Sequence, residues 1–221
     1  MPTRSFNGKG DRNMRILVVA GHPDQCSLTE TIAQTYVTEA RNAGHEVALI
    51  NLASCEFDPV LRYGYRAHMP QEPCISDSQD LLDWCEHVVV IFPVWWACEP
   101  SLLKGWFDRV LTPGKAYQYI PGKLAPRRLL RGRTATLIAT SHAPSWYAKH
   151  NPSYPLARIS KHVLGYCGIK VTKRLVLGSV DSPKITGERI ESFLAKVSRA
   201  ARLKHRLTDH AGTSHACRRH A

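Results

Sequence analysis

With 221 residues, 43% of them apolar and 22% charged, the chain has material for one domain with a full core and too little to argue for two. No apolar run approaches the roughly 20 residues that a membrane-spanning helix needs, so membrane insertion is excluded. The net charge of +12 invites a nucleic-acid reading, but it sits largely in KLAPRRLLRGR (123–133) and in residues 198–221, without a helix-turn-helix, zinc-finger or aromatic RNA-binding signature. A specific nucleic-acid site is therefore not expected.

Seven cysteines are scattered without a C-x-x-C pair, which argues against a disulfide framework and against structural zinc. Residues 1–13 are polar and lack the apolar middle of a secretory signal, so they read as an extension ahead of a domain at 14–204, and a cytoplasmic location follows. Histidines recur every five residues at His205, His210, His215 and His220. That period matches neither strand nor helix faces, so 205–221 reads as a basic, His-rich, disordered tail with no metal site.

Between these ends, strand and helix alternate. RILVVAG (15–21) is an aliphatic run suited to a strand buried on both faces. SLTETIAQTYVTEARNAG follows with Leu28, Ile32, Tyr36 and Ala40 on one stripe and Gly44 past its end. Ser27 and Glu30 have the spacing of a capping box. EVALIN (46–51) is a second strand, SQDLLDWCE a helix and HVVVIFP (87–93) a third strand. PSLLKGWFDRVL places Leu103, Trp106, Phe107 and Val110 on one helical face after Pro100. TATLIAT (134–140), PLARISKHVLGYCG, KVTKRLVLG and TGERIESFLAKVSRAARLK complete the series as strand, helix, strand and helix. Five such alternations with right-handed crossovers give an α/β fold, a doubly wound five-stranded parallel sheet with helices on both faces.

In such a sheet, ligands lie beyond the carboxyl ends of the strands, where the strand order reverses. The loops after strands one, three and four are therefore the candidates. The first has no G-x-G-x-x-G and no G-x-x-x-x-G-K-[ST], so neither a dinucleotide Rossmann site nor a Walker site is supported. It does put His22, Ser27 and Thr29 at a helix N-terminus, which favours anions. The second, PVWWACEP, sets Trp95 and Trp96 side by side on a loop. They cannot both point into the core, so at least one is expected to line a site for a flat ligand, whereas Trp106 is expected in the core.

AGHPDQCSLTETIA, FPVWWACEPSLLKGWFDRVL followed by AYQY, and Thr140 to Tyr147 together resemble the flavodoxin-like NAD(P)H:quinone oxidoreductases. That family includes the animal DT-diaphorases, the bacterial modulator-of-drug-activity-B reductases and ancillary subunits of potassium-efflux systems. The resemblance runs in order from about Arg15 to Lys204. It implies a homodimer that binds FAD, with FMN the alternative, takes hydride from NAD(P)H and reduces a quinone or similar flat acceptor by a ping-pong mechanism. An azo- or nitro-reductase and a flavin-binding regulatory subunit of a cation-efflux system are the alternatives.

By the same resemblance, His22, Ser27, Leu28 and Thr29 hold the pyrophosphate, and Pro93, Val94, Trp95, Trp96 and Ala97 wrap the flavin ring. Tyr117 and Tyr119, with Trp96, bound the substrate slot, the tyrosines reaching it from the dimer partner. At the fourth strand the family commonly reads Thr-Thr-Gly-Gly, then a Tyr and a later His. Here Thr140, Ser141 and His142 stand there, followed by Tyr147, while Ser153 holds the later position and His150 is the nearest histidine. Thr140, Ser141, His142 and Tyr147 are thus expected at the flavin's pyrimidine edge, and Tyr147, His150 and His142 as the catalytic group. Apart from the resemblance, Arg127, Arg128, Arg131 and Arg133 lie where one or two could reach the 2′-phosphate of NADPH, the alternative being a solvated lead-in to the fourth strand.

Overall fold

Parallel strands cannot be joined by tight turns, and the chain meets this constraint with a helix after almost every strand. The computed structural model describes residues 13–183 and 185–202. In chain order these form β1 (Arg15–Ala20), α1 (Leu28–Asn42), β2 (Glu46–Asn51), α2 (Pro73–Trp84), β3 (His87–Val94) and α3 (Ser101–Val110). A small hairpin, β4 (Tyr117–Gln118) and β5 (Arg127–Arg128), precedes β6 (Thr134–Ser141). Then come α4 (Ser145–His150), α5 (Pro155–Arg158), a π-helical turn at Ile159–Leu164, α6 (Gly165–Cys167), β7 (Lys170–Gly178) and α7 (Gly187–Ala201). Most of the N-terminal extension, and the whole His-rich tail, lie outside the described residues.

The sheet runs β2-β1-β3-β6-β7, and every neighbouring pair is parallel. Alternate residues of the central strands feed two cores. Leu17, Val19, Val88, Val90, Phe92, Leu137 and Ala139 pack with α2, α3 and the α5–α6 segment on one face. Ile16, Val18, Val89, Ile91 and Ile138 pack with α1 and α7 on the other. Burial on both faces accounts for the unbroken aliphatic runs. The order reverses between β1 and β3, which places the crevice beside their carboxyl ends. Among the described residues, no helix is long and apolar enough to cross a membrane.

Several boundaries differ from the sequence-based expectation. Helix α2 starts at Pro73 rather than at Ser78, because Pro73 suits the first turn and Ile75 drives the added turn into the core at 2% exposure. Strand β3 continues through Pro93 to Val94. Strand β1 ends opposite Ile91, so the missing N–H of Pro93 costs no ladder bond on that side. The single helix expected over 155–168 is α-helical at its ends and π-helical in the middle, where the Ser160 hydroxyl donates to the Leu156 carbonyl at 2.5 Å. The β4–β5 hairpin and α4 fall in segments read as loops.

Two neighbours in the Lys-Gly-Trp run explain each other. A Cβ on Gly105 would stand 2.4 Å from both the Cβ and the carbonyl oxygen of Pro59, so only glycine lets α3 lie against that loop. The next residue, Trp106, is 1% exposed, and its indole N–H donates to Ser78 Oγ at 2.9 Å. Trp106→Ala should destabilise the protein by about 3–5 kcal/mol, read as a lower melting temperature with or without added ligand.

The amino end of β3 carries a buried base. His87 is 1% exposed, with Nδ1 at 2.7 Å from Thr134 Oγ1 and Nε2 at 3.0 Å from Thr136 Oγ1. Burial, with lesser contributions from His45 and Lys173, lowers its pKa to about 3. The unfolded chain takes up this proton near pH 6.5 and the folded protein only near 3. Stability from this group is therefore complete above pH 6.5 and is lost progressively as pH falls through that window. Thermal melts between pH 7 and pH 4 should show a steeper fall in wild type than in His87→Gln.

Candidate active site

The loop after β1 stays close to β3 because the Gly21 N–H donates to the Ile91 carbonyl at 2.7 Å. From there, short bonds lead the chain into α1. The Asp24 N–H donates to His22 Nδ1 at 2.9 Å, the Cys26 N–H to Asp24 Oδ1 at 2.9 Å, and the Glu30 N–H to Ser27 Oγ at 3.2 Å. Since Nδ1 of His22 accepts, neutral His22 carries its proton on Nε2 and keeps a donor there. Ser27 caps α1 as expected. Glu30 does not close the reciprocal half of the box, because its two oxygens accept from Gln34 and Asn51 at 2.7 and 2.8 Å. The N–H groups of Leu28 and Thr29, in the first turn, have no partner four residues back. Thr29 is 2% exposed as a whole residue, so its hydroxyl is not presented at the surface.

The loop after β3 is a two-residue hairpin. The Trp95 N–H donates to the Cys98 carbonyl at 2.9 Å and the Cys98 N–H returns to Trp95 at 2.8 Å. Both central residues, Trp96 (φ 51°) and Ala97 (φ 57°), are left-handed. This is the backbone of a type I′ turn, which normally selects Asn and Gly. A non-glycine residue held there costs of order 1–2 kcal/mol. The strain turns Trp96 outward to 99% exposure, while Trp95, at 44%, meets His22 edge-on with ring centroids 5.3 Å apart. Loops one and three thus form one surface.

The end of β6 supplies the third wall. Thr140 and Ser141 pair with Pro93 and Val94, both are buried, and Ser141 Oγ accepts from the Ala143 N–H at 3.1 Å. His142 is exposed and its Nδ1 lies 3.0 Å from Asp181 Oδ2. Helix α4 is seated where Gly178 ends β7. A Cβ there would stand 2.2 Å from the Ser145 nitrogen, and the Gly178 N–H donates to Ser145 Oγ at 2.8 Å. Tyr147, 39% exposed, stacks edge-on between Trp146 and Tyr154 at 5.7 and 5.2 Å. His150, the last residue of α4, instead lines a groove shared with β7 and α7. It stands one helical turn from Tyr147 on the same helix. Ser153 is used locally, its N–H donating to Asn151 Oδ1 at 2.9 Å.

Glu99 escaped the sequence reading. It follows the turn directly, its side chain is 1% exposed, and it pairs with Arg158 of α5. Its second oxygen, Oε1, is buried without a hydrogen-bond partner. One acid in an apolar loop before Pro100 was the only sequence signal. The pair ties the Trp95–Cys98 turn to the segment behind β6.

A family model described as a flavodoxin-like fold matches residues 14–201. The chain belongs to this flavodoxin-like family. It is 28% identical over 182 residues to the ribosyldihydronicotinamide dehydrogenase [quinone] of Pongo abelii, covering 71% of this chain and 78% of that one. Against the NAD(P)H dehydrogenase [quinone] 1 of Cavia porcellus, identity is 25% over 182 residues, with 71% and 66% covered. The solved NAD(P)H:quinone oxidoreductase of Methanothermobacter marburgensis superposes with a TM-score of 0.68 at 22% identity, covering 86% of this chain and 96% of that one, a likeness of fold.

Other expected site residues of this flavodoxin-like chain lie apart from the three loops. Tyr117 is buried beneath Tyr119 and Tyr166, with ring centroids at 5.5 and 5.1 Å, and its hydroxyl pKa is raised by burial. Tyr119 is 65% exposed. Arg133 does not face a nucleotide; its guanidinium donates to the carbonyls of Leu82, Asp83 and Cys85.

Two substitutions test this geometry. Ala97→Gly removes left-handed strain of about 1 kcal/mol and should raise the melting temperature by roughly 2–4 °C. Arg158→Met strands a buried carboxylate and should destabilise by about 3–5 kcal/mol, with Glu99→Gln/Arg158→Met recovering part of the loss in the same melts.

Proposed function

We propose that the protein is a flavin-dependent NAD(P)H:quinone oxidoreductase, acting by a ping-pong mechanism through FAD. The left-handed turn that presents a fully exposed Trp96 beside His22, at the point where strand order reverses, carries this reading. The residues fit a planar, phosphate-bearing group. Trp96 offers indole surface, and His22 Nε2–H with the Leu28 and Thr29 N–H groups forms a donor set at the positive end of α1. The quinone dehydrogenases among the relatives support the acceptor class.

When bound, the flavin supplies two-electron chemistry, accepting hydride from a nicotinamide and passing it to the acceptor. The protein's part is positional and electrostatic. His22 and the first turn of α1 would hold the pyrophosphate, and Pro93 to Ala97 would hold the ring. Thr140, Ser141 and His142 would lie toward its pyrimidine edge, where His142, held by Asp181, and Tyr147 would stabilise negative charge. Tyr65, Tyr119 and Tyr166 cluster around Tyr117 with their own rings partly exposed, which supports a homodimer in which Tyr119 covers the partner's slot.

Purified protein should carry flavin or take it up, and NADPH should bleach the oxidised spectrum under anaerobic conditions. A preparation that binds neither FAD nor FMN would overturn the proposal, and fluorescence after acid release separates the two. Trp96→Ala should weaken flavin binding roughly tenfold, the equivalent of about 1.4 kcal/mol, without lowering the melting temperature of the flavin-free protein.

A further inference from the structure

The excess of positive charge is not spread evenly over the folded chain. A groove of ≈ 560 Å³ between α4, β7 and α7 is lined by Lys149, Lys173, Arg174, Lys196 and Arg199. A second groove of ≈ 360 Å³ adjoins it, sharing Val171 and Arg174, and adds Arg128, Lys161 and Lys170. Five cations and three more make eight, with no Asp or Glu lining either groove. Among the described residues, none of the eight holds an ion pair. Elsewhere, Lys104, Lys115, Arg109 and Arg202 each hold a carboxylate.

Protection of an edge strand accounts for Lys170, Lys173 and Arg174, since β7 ends the sheet and charge there blocks edge-to-edge pairing. It does not account for cations arriving from α4, α7, β5 and the π-helical turn. Their convergence costs like-charge repulsion that a bound anion relieves.

We propose that this strip docks the phosphate backbone of a double-stranded nucleic acid without reading its sequence. The grooves suit a ridge of closely spaced charge, which a duplex provides at about one per 1.7 Å of axis. A lipid surface is planar and would meet only the groove rims, and a folded acidic protein presents its carboxylates more sparsely. Neither groove is lined by Trp, Tyr or Phe, so the stacking platforms that hold single strands are lacking. Backbone contacts without base contacts position but do not specify. The inference rests on charge and shape alone and is independent of the flavin reading.

The test is fluorescence anisotropy of full-length, flavin-loaded protein with a labelled duplex of arbitrary sequence, titrated at several salt concentrations. Wild type should bind with a dissociation constant of about 1–100 µM near physiological salt, indifferent to sequence. Lys170→Gln/Lys173→Gln/Lys196→Gln/Arg199→Gln should weaken binding and lower the slope of log affinity against log salt by about 0.9 for each phosphate no longer neutralised. Unchanged melting temperature and flavin content in this variant exclude misfolding. The proposal is overturned if the quadruple variant binds like wild type, which would assign the affinity elsewhere in the chain. Equal or tighter binding of the matching single strand also overturns it, as does binding to phosphatidylserine vesicles with none to the duplex.

Discussion

Everything at the candidate site depends on one constraint, the parallel pairing of β3 with β1 and β6. A parallel neighbour can be reached only by crossing a face of the sheet, so each strand spends its far end on a loop at the same edge. Three loops distant in sequence thereby meet. Because the central strands are buried on both sides, their positions are fixed by two cores at once, and the loops inherit that rigidity. The turn at Trp95–Cys98 can hold two left-handed residues because Pro93 and Val94 are paired beneath it and Glu99 is anchored behind it.

The fold was legible because its signals are periodic and strong. Val18, Val89 and Leu137 sit in aliphatic runs that fit no other arrangement, and the stripe through Ile32, Tyr36 and Ala40 defines a helix facing them. Features governed by single contacts were less visible. The start of α2 depends on where Ile75 finds the core, and the π-helical turn on where Ser160 sends its hydroxyl. Neither leaves a periodic trace.

The same division runs through the site. That a Trp of the loop after β3 faces outward followed from the sequence, because two adjacent loop residues cannot both turn inward. The left-handed backbone that directs Trp96 did not, since the turn lacks the Asn-Gly chemistry that announces such a bend. His150 and His142 were equivalent as loop histidines. Only the descent of α4 along β7 puts His150 in the groove shared with α7. Glu99 and Arg158 are far apart in the chain, and no local pattern pairs them.

The buried His87 lies at the amino end of β3, a full strand length from the turn at its carboxyl end. Acid sensitivity and chemistry are thus placed at opposite poles of one strand. Loss of folded protein on acidification would begin at the pole remote from the candidate site, and turnover alone does not separate it from a slower step there. Rate per folded molecule, obtained by counting native protein at each pH, is the quantity that isolates the chemistry.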